Sequence, residues 1–291
     1  MSRPTFVEVD GRRVRVRVEG DAANPPVLLL HGIGRSMEDW ALQFHRLAAA
    51  HRVIAVDIPG FGFSERPVGP INLPTFARGV LGAVDVLGET RPLNIIGNSL
   101  GGAIAVQTLA LRPERVASLG LINSAGFGRE VTVLLRMLTV PGLGQLSTRR
   151  PTRAGARLLE RTIFADPSLA TRERVDHALA IGRQPHSGAV LREAAVSLGT
   201  PTRGVKPGWR RQLAAFAALH PRPTLIMWGE RDRVLPAHHI NEARRVFPHA
   251  ETHLLPGIGH MPQIECPEEF AALVSPFLAR AAGEQRTSGT G

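Results

Sequence analysis

The 291-residue sequence has one cysteine, Cys266, one lysine, Lys206, and no tyrosine. A lone cysteine excludes an intrachain disulfide and any cluster of thiolate metal ligands. No apolar run is long enough to span a bilayer. The opening MSRPTFVEVDG turns polar within ten residues and lacks the apolar stretch of a secretory leader, so a cytoplasmic protein is expected. Aromatic residues are scarce, at 5%, and no nucleic-acid-binding motif is present, so no nucleic-acid partner is expected. With lysine nearly absent, arginine carries the formal charge of +10. The excess is local: residues 128–220 hold 14 arginines and Lys206 against six acids.

What is present is an ordinary globular composition, 43% hydrophobic and 21% charged, on a chain long enough for one large domain with an insertion. From Phe6 to Val18 the chain alternates, with Val14, Val16 and Val18 on one face and Arg13, Arg15 and Arg17 on the other. Period two predicts a half-buried hairpin turning at Asp10-Gly11. Short apolar runs follow at Val27–Leu30, Val53–Val56, Leu93–Ile96 and Val116–Ile122, without alternation, as in parallel strands buried on both faces. Helix-like segments lie between them at Glu38–Ala50, Thr75–Leu87 and Leu100–Leu111. The alternation predicts a doubly wound α/β sheet. After Ser124 the rhythm breaks, and residues 128–220 read as helices with no strand, including Val131–Leu138, Thr171–Ile181 and Ser187–Leu198. Strand signals resume at Thr224–Trp228 and Glu251–Leu255, and a last helix follows Pro267. The expected organisation is an α/β core of residues 1–127 and 221–282, a helical cap of residues 128–220, and a disordered tail at 283–291.

The stretch LNIIGNSLGG, Leu93 to Gly102, is a buried strand, then Gly97-Asn98-Ser99-Leu100-Gly101, then a helix. A serine on so tight a turn has its Oγ pushed out at the top of the sheet. Its hydroxyl needs a base to take its proton. His260, in Gly257-Ile258-Gly259-His260-Met261-Pro262, follows the last strand and so shares the carboxyl edge with Ser99. His238, His239, His249 and His253 sit in a helix or near strand starts and read as solvated. A carboxylate must hold the imidazole in the right tautomer. Asp232, in WGERDRVLP, is expected to do so, with Glu230 as its local competitor; the place after the preceding strand, Asn123 and Ser124, offers no acid. The oxyanion of an attacked carbonyl needs donors. The backbone N–H groups of Leu100 and of Ile33, in His31-Gly32-Ile33-Gly34, are expected to supply them, with the His31 ring bracing that loop.

These motifs, with DIPGFGFS at Asp57 to Ser64 and GHMPQIECPEEF at the histidine, resemble the α/β-hydrolase superfamily over nearly the whole chain. The resemblance implies an eight-stranded, mostly parallel sheet with helices on both faces and a helical cap. Within the superfamily the chain is similar to the meta-cleavage-product hydrolases, which cut a carbon–carbon bond in dienoates; Asn98 and the stretch Ile181-Gly182-Arg183-Gln184-Pro185 carry that likeness. It departs from them where a longer glycine-rich run is replaced by HGIGRS, where Met261 stands for a tryptophan, and where His177 stands near the place of their substrate-carboxylate arginine. Substrate contacts are expected from Gly32, Asn98, His177 and Met261. The expected function is hydrolysis of a carboxylic ester of a small substrate, anionic or aromatic. Carbon–carbon cleavage is the alternative, and a non-catalytic small-molecule receptor on the same fold is a third reading.

The basic segment has three explanations: attraction of an anionic substrate, contact with anionic lipid through Val131–Leu143, or a solvated surface shaped by codon usage. Membrane contact is not the favoured one. No cofactor is expected. No metal site is expected either, since the side chains of adjacent His238 and His239 should diverge, and His249 with His253 lacks a third ligand.

Overall fold

A computed structural model describes residues 2–288, the last six of these in backbone only. Strands β1 (Thr5–Val9) and β2 (Arg12–Glu19) form the expected hairpin, with Asp10 and Gly11 both at left-handed φ, 50° and 70°. Val14 and Val16 are buried and the first arginines of β2 face solvent. Strands β3 (Pro26–Leu30), β4 (Arg52–Val56), β5 (Leu93–Asn98) and β6 (Val116–Ile122) are buried along nearly their whole length. Helices α1 (Phe44–Ala48), α2 (Leu73–Val86) and α3 (Leu100–Leu111) connect them, and α2 starts where the Asn72 side chain accepts the Thr75 N–H.

The single helix expected over Glu38–Ala50 is a 3-10 turn at Met37–Trp40 followed by the short α1. Tertiary bonds claim its polar groups: Asp57 accepts the Met37 N–H, Asp39 is held by Arg35 and Arg174, and Gln43 donates to the carbonyls of Gln263 and Pro267. Helical propensity yields to such contacts.

Between β6 and the last two strands lie α4 (Val133–Met137), α5 (Leu143–Arg149), α6 (Arg153–Ile163), α7 (Arg172–Gly182), α8 (Ser187–Leu198) and α9 (Pro207–Leu219). The expectation of no strand here is corrected by a small antiparallel ladder, β7 (Gly199–Thr200) with β8 (Gly204–Val205). Gly204 has φ 68°, and a Cβ there would lie 2.0 Å from the Arg129 carbonyl oxygen. Two-residue strands made by such close approach leave no periodic trace. The core resumes with β9 (Thr224–Gly229), α10 (His239–Val246), β10 (Glu251–Leu255), α11 (Pro262–Glu265) and α12 (Pro267–Ser288). The backbone of α12 continues to Ser288, into the stretch expected as a tail; residues 289–291 of that stretch lie outside the described residues.

The eight-stranded sheet runs β1-β2-β4-β3-β5-β6-β9-β10, with β2 antiparallel to its neighbours and the rest parallel. Alternate residues of each strand feed opposite layers: Leu28, Leu30, Ile54 and Val56 pack toward α2 and α3, whereas Val27, Leu29, Val53 and Ala55 pack toward α1 and α12. That double burial is why these strands lack a polar face. Strand order reverses at β3, between β4 and β5, so a crevice opens at the carboxyl edge there. Among the described residues no helix is long and apolar enough to cross a membrane.

Candidate active site

Ser99 occupies the turn between β5 and α3 at φ 57° and ψ −115°, a strained conformation for a residue with a Cβ. The surroundings over-determine it. Its N–H donates to the Ile122 carbonyl at 3.0 Å and its carbonyl accepts the Ala125 N–H at 3.0 Å. A Cβ on Gly97 would lie 2.2 Å from the Gly101 carbonyl carbon, and one on Gly101 2.3 Å from the Leu30 carbonyl oxygen. The same holds for Gly102, where a Cβ would lie 2.2 Å from Ser124 Oγ. The elbow therefore needs its third glycine as well, a requirement that the five-residue pattern omits.

His260 lies in the loop between β10 and α11, and its Nδ1 hydrogen-bonds Asp232 Oδ2 at 2.7 Å, with both side chains buried. The other Asp232 oxygen accepts the Val234 and Leu235 N–H groups at 2.7 and 2.9 Å. A donor not foreseen from sequence is Asn123, whose Nδ2 reaches Asp232 Oδ2 at 2.7 Å and the Gly259 carbonyl at 3.2 Å. Asn123 holds a φ of 44° just past β6, a conformation asparagine tolerates better than most residues. It occupies the place that offers no acid and instead supplies a hydrogen bond to the acid beside it. Glu230, the competitor, is exposed and among the described residues accepts only the Gly257 N–H, at 3.1 Å.

Asp232 Oδ2 engages the imidazole at Nδ1, which leaves Nε2 free to act as acceptor. Among the described residues no hydrogen bond joins Ser99 Oγ to that ring; such bonds are often loose before substrate binds. The elbow and the histidine loop are tied through Asn98, whose Nδ2 donates to the His260 carbonyl at 3.0 Å and the Ile122 carbonyl at 3.2 Å.

The loop after β3 is held by His31. Its Nδ1 donates to the Gly32 carbonyl at 2.8 Å and its Nε2 accepts the Ile58 N–H at 2.9 Å. Burial pushes its pKa down, which keeps the ring neutral and able to do both. Fixing the Gly32 carbonyl also fixes the Ile33 N–H on the opposite side of the same peptide plane. Neither the Ile33 nor the Leu100 N–H has an acceptor among the described residues. A Cβ on Gly32 would sit 3.3 Å from Ser99 Cβ, so this loop lies directly against Ser99.

Ser99, Ile33 and Leu100 line one cavity, closed by Val131, Leu135, Leu198 and Trp209 of the inserted helices and by Val234 and Leu235 of the core. It encloses about 70 Å³ and is almost wholly apolar. Arg136 is the charged side chain in its lining, and its guanidinium donates to the Pro201 and Thr202 carbonyls. The other expected contact residues lie elsewhere. Asn98 is buried beneath the elbow, Met261 is buried with its N–H on Glu265, and His177 bonds Ser36 at 2.8 Å beside Glu38. On that flank the half-buried Arg35 and Arg174 share the buried Asp39 and Glu160 in a four-membered ionic network joining the loop after β3 to α6 and α7.

One surface expectation is corrected. His239 is buried, at 2% exposure, and its ring lies edge-on to that of His238 with centroids 4.9 Å apart. The two side chains do not diverge, because both turn toward Glu130 at the start of the insertion.

A family model described as the alpha/beta hydrolase fold matches residues 25–267. The chain belongs to the α/β-hydrolase family. It is 32% identical over 280 residues to the dihydrolipoyllysine-residue acetyltransferase component of an acetoin cleaving system from Pseudomonas putida, covering 95% of this chain and 70% of that one. It is 30% identical over 278 residues to a 2-hydroxymuconate semialdehyde hydrolase of a Pseudomonas species, covering 94% of each. Among solved structures, a membrane phospholipase A described as a bacterial virulence factor superposes with a TM-score of 0.78 at 28% identity, over 97% of this chain and 87% of that one. A meta-cleavage product hydrolase from Pseudomonas fluorescens gives 0.77 at 26% identity, over 95% and 98%.

Proposed function

We propose that the chain is a serine hydrolase that cleaves a carboxylic ester of a small apolar or aryl substrate through an acyl-enzyme. The observation that carries this reading is the buried Asp232–His260 hydrogen bond set beside a strained serine that opens on an apolar cavity. His260 Nε2 takes the Ser99 proton as Oγ bonds to the carbonyl carbon. The oxyanion is received by the N–H groups of Leu100 and Ile33, each worth on the order of 10²–10³ in rate. The tetrahedral adduct collapses as His260 returns the proton to the departing alcohol. Water, deprotonated by the same ring, then attacks the acyl-enzyme and frees Ser99 and the acid. Residues 128–220 act as the cap that closes the cavity and sets specificity. At about 70 Å³ it is far below the roughly 300–1,000 Å³ of sites for drug-sized ligands, which favours short acyl or single-ring groups.

Carbon–carbon hydrolysis is the second reading, favoured by the 2-hydroxymuconate semialdehyde and meta-cleavage product hydrolases among the similar proteins. Against it, a dienoate carries a carboxylate, and the arginines near the nucleophile are already engaged: Arg136 by carbonyls, Arg35 and Arg174 by Asp39 and Glu160. The test is a parallel screen of short-chain, long-chain and aryl p-nitrophenyl esters against a dienoate ring-cleavage product, with wild type and Ser99→Ala. The expected result is fastest turnover of short or aryl esters, falling by about 10³-fold or more in the variant. Retention of a tenth of the activity would refute the assignment. Faster turnover of the dienoate than of every ester would move the reading to carbon–carbon cleavage, and rapid fluorophosphonate labelling without any turnover would move it to a receptor.

A further inference from the structure

We infer that Glu130, His238 and His239 form a binding site for a divalent transition cation of the zinc, cobalt or nickel type that fastens the inserted helices to the core. Glu130 Oε2 lies 3.0 Å from His239 Nε2 and 3.6 Å from His238 Nε2, and the three ligand atoms lie within 4.8 Å of one another. An ion bound to nitrogen and oxygen at about 2.0–2.1 Å in tetrahedral geometry places its ligand atoms roughly 3.3 Å apart. The two distances to Glu130 bracket that value. Two imidazoles and one carboxylate are a donor set of borderline softness, suited to these ions and poorly suited to magnesium or calcium.

The ligands come from chain segments 109 residues apart, brought together by packing. His239 is buried against Trp228, with ring centroids 6.1 Å apart, so one ligand is already immobile. The close approach depends on Gly128, where a Cβ would fall 1.9 Å from His239 Nε2. His238 and Glu130 reach solvent, which supplies an entry path and a water for the fourth position. Arg129 touches the other Glu130 oxygen at 3.4 Å and leaves Oε2 to the histidines.

The location gives the ion a structural effect. Thr132 N–H donates to the Val234 carbonyl at 2.9 Å, so the first turn of the insertion is already laced to the loop after β9. These same segments contribute Val131, Val234 and Leu235 to the cavity at Ser99. A bound cation adds a second fastening beside that lace and holds the cavity wall in place.

The test is calorimetric titration of the untagged, chelator-stripped full chain with zinc chloride, repeated with cobalt chloride to read the absorption bands of a tetrahedral site. Both exposed ligands are replaced singly, His238→Ala and Glu130→Gln, and His253→Ala removes an unrelated surface histidine paired with Glu251. The expected result is one saturable site per chain, weakened about tenfold or more in each ligand variant, unchanged in His253→Ala, and accompanied by a zinc-dependent rise in melting temperature in wild type. No saturable binding in wild type, or wild-type affinity in either ligand variant, overturns the site and leaves His239–Glu130 as a hydrogen bond only. The readout is independent of the hydrolase reading.

Discussion

The sheet edge carrying Ser99, Asp232 and His260 and the helices that face it hold their polar groups by opposite means. At the edge the acid and the residues that hold it are tightly bonded: Asp232 accepts from Val234, Leu235, Asn123 and His260, and the Asn98 amide donates to two carbonyls. Several core arginines are likewise paired, Arg15 with Glu38 and Asp57, Arg52 and Arg91 with Glu89, Arg115 with Asp85. In the insertion, Arg149, Arg150, Arg183 and Arg192 line an open cleft of about 660 Å³ with no acid in its lining. That cleft shares no lining residue with the cavity at Ser99. Much of the positive charge of the insertion therefore lines a surface apart from the cavity at Ser99.

The sharpest break in that contrast is Asp232→Asn. It should lower kcat by about 10⁴-fold, because an amide selects the wrong imidazole tautomer, whereas the exposed Glu230→Gln stays near wild type; the reverse ranking in ester hydrolysis would reassign the acid. Next comes the part of the insertion whose charges are paired as closely as those of the edge. Glu160→Gln leaves Arg35 and Arg174 sharing Asp39 alone, and should cost about 3–5 kcal/mol of stability in urea unfolding. A loss like that of an exposed pair, about 1 kcal/mol or less, would show the network to be dispensable.

Asn123→Ala removes a hydrogen bond to a buried carboxylate and should cost about 1.5–3 kcal/mol in transition-state stabilisation, roughly 10- to 100-fold in kcat/KM. An unchanged rate with lowered stability would make Asn123 structural only. The smallest effect is with pH. Burial holds the imidazoles of His31 and His239 below their ordinary pKa of 6.5. The unfolded chain then takes up protons that the folded one refuses, so stability is present above pH 6.5 and is lost as pH falls toward the folded values. The slope is at most about 1.4 kcal/mol per pH unit for each ring. Urea midpoints between pH 8 and pH 5 read it, and a midpoint that rises on acidification contradicts it.

Legibility differed between the same two regions. The sheet, the elbow and the order Ser99, Asp232, His260 follow from local patterns, because strands buried on both faces and a glycine-flanked serine leave a sequence signature. Asn123 left none, since a side chain that bonds a carboxylate 109 positions away looks like any asparagine at a strand end. The split of the helix at Met37–Trp40, the β7–β8 ladder, the burial of His239 and the displacement of His177 and Met261 from the cavity were equally invisible.

The sequence by itself determined the alternation of strand and helix, the strained turn at Ser99 and the candidate base and acid, because these depend on periodicity and on backbone sterics within a few residues. Only the tertiary structure decided which groups face one another across the molecule. Asn123 meets Asp232, Arg35 meets Glu160 and Glu130 meets two histidines because burial of apolar strands and helices brings distant segments within hydrogen-bond reach, and nothing in local composition encodes that meeting.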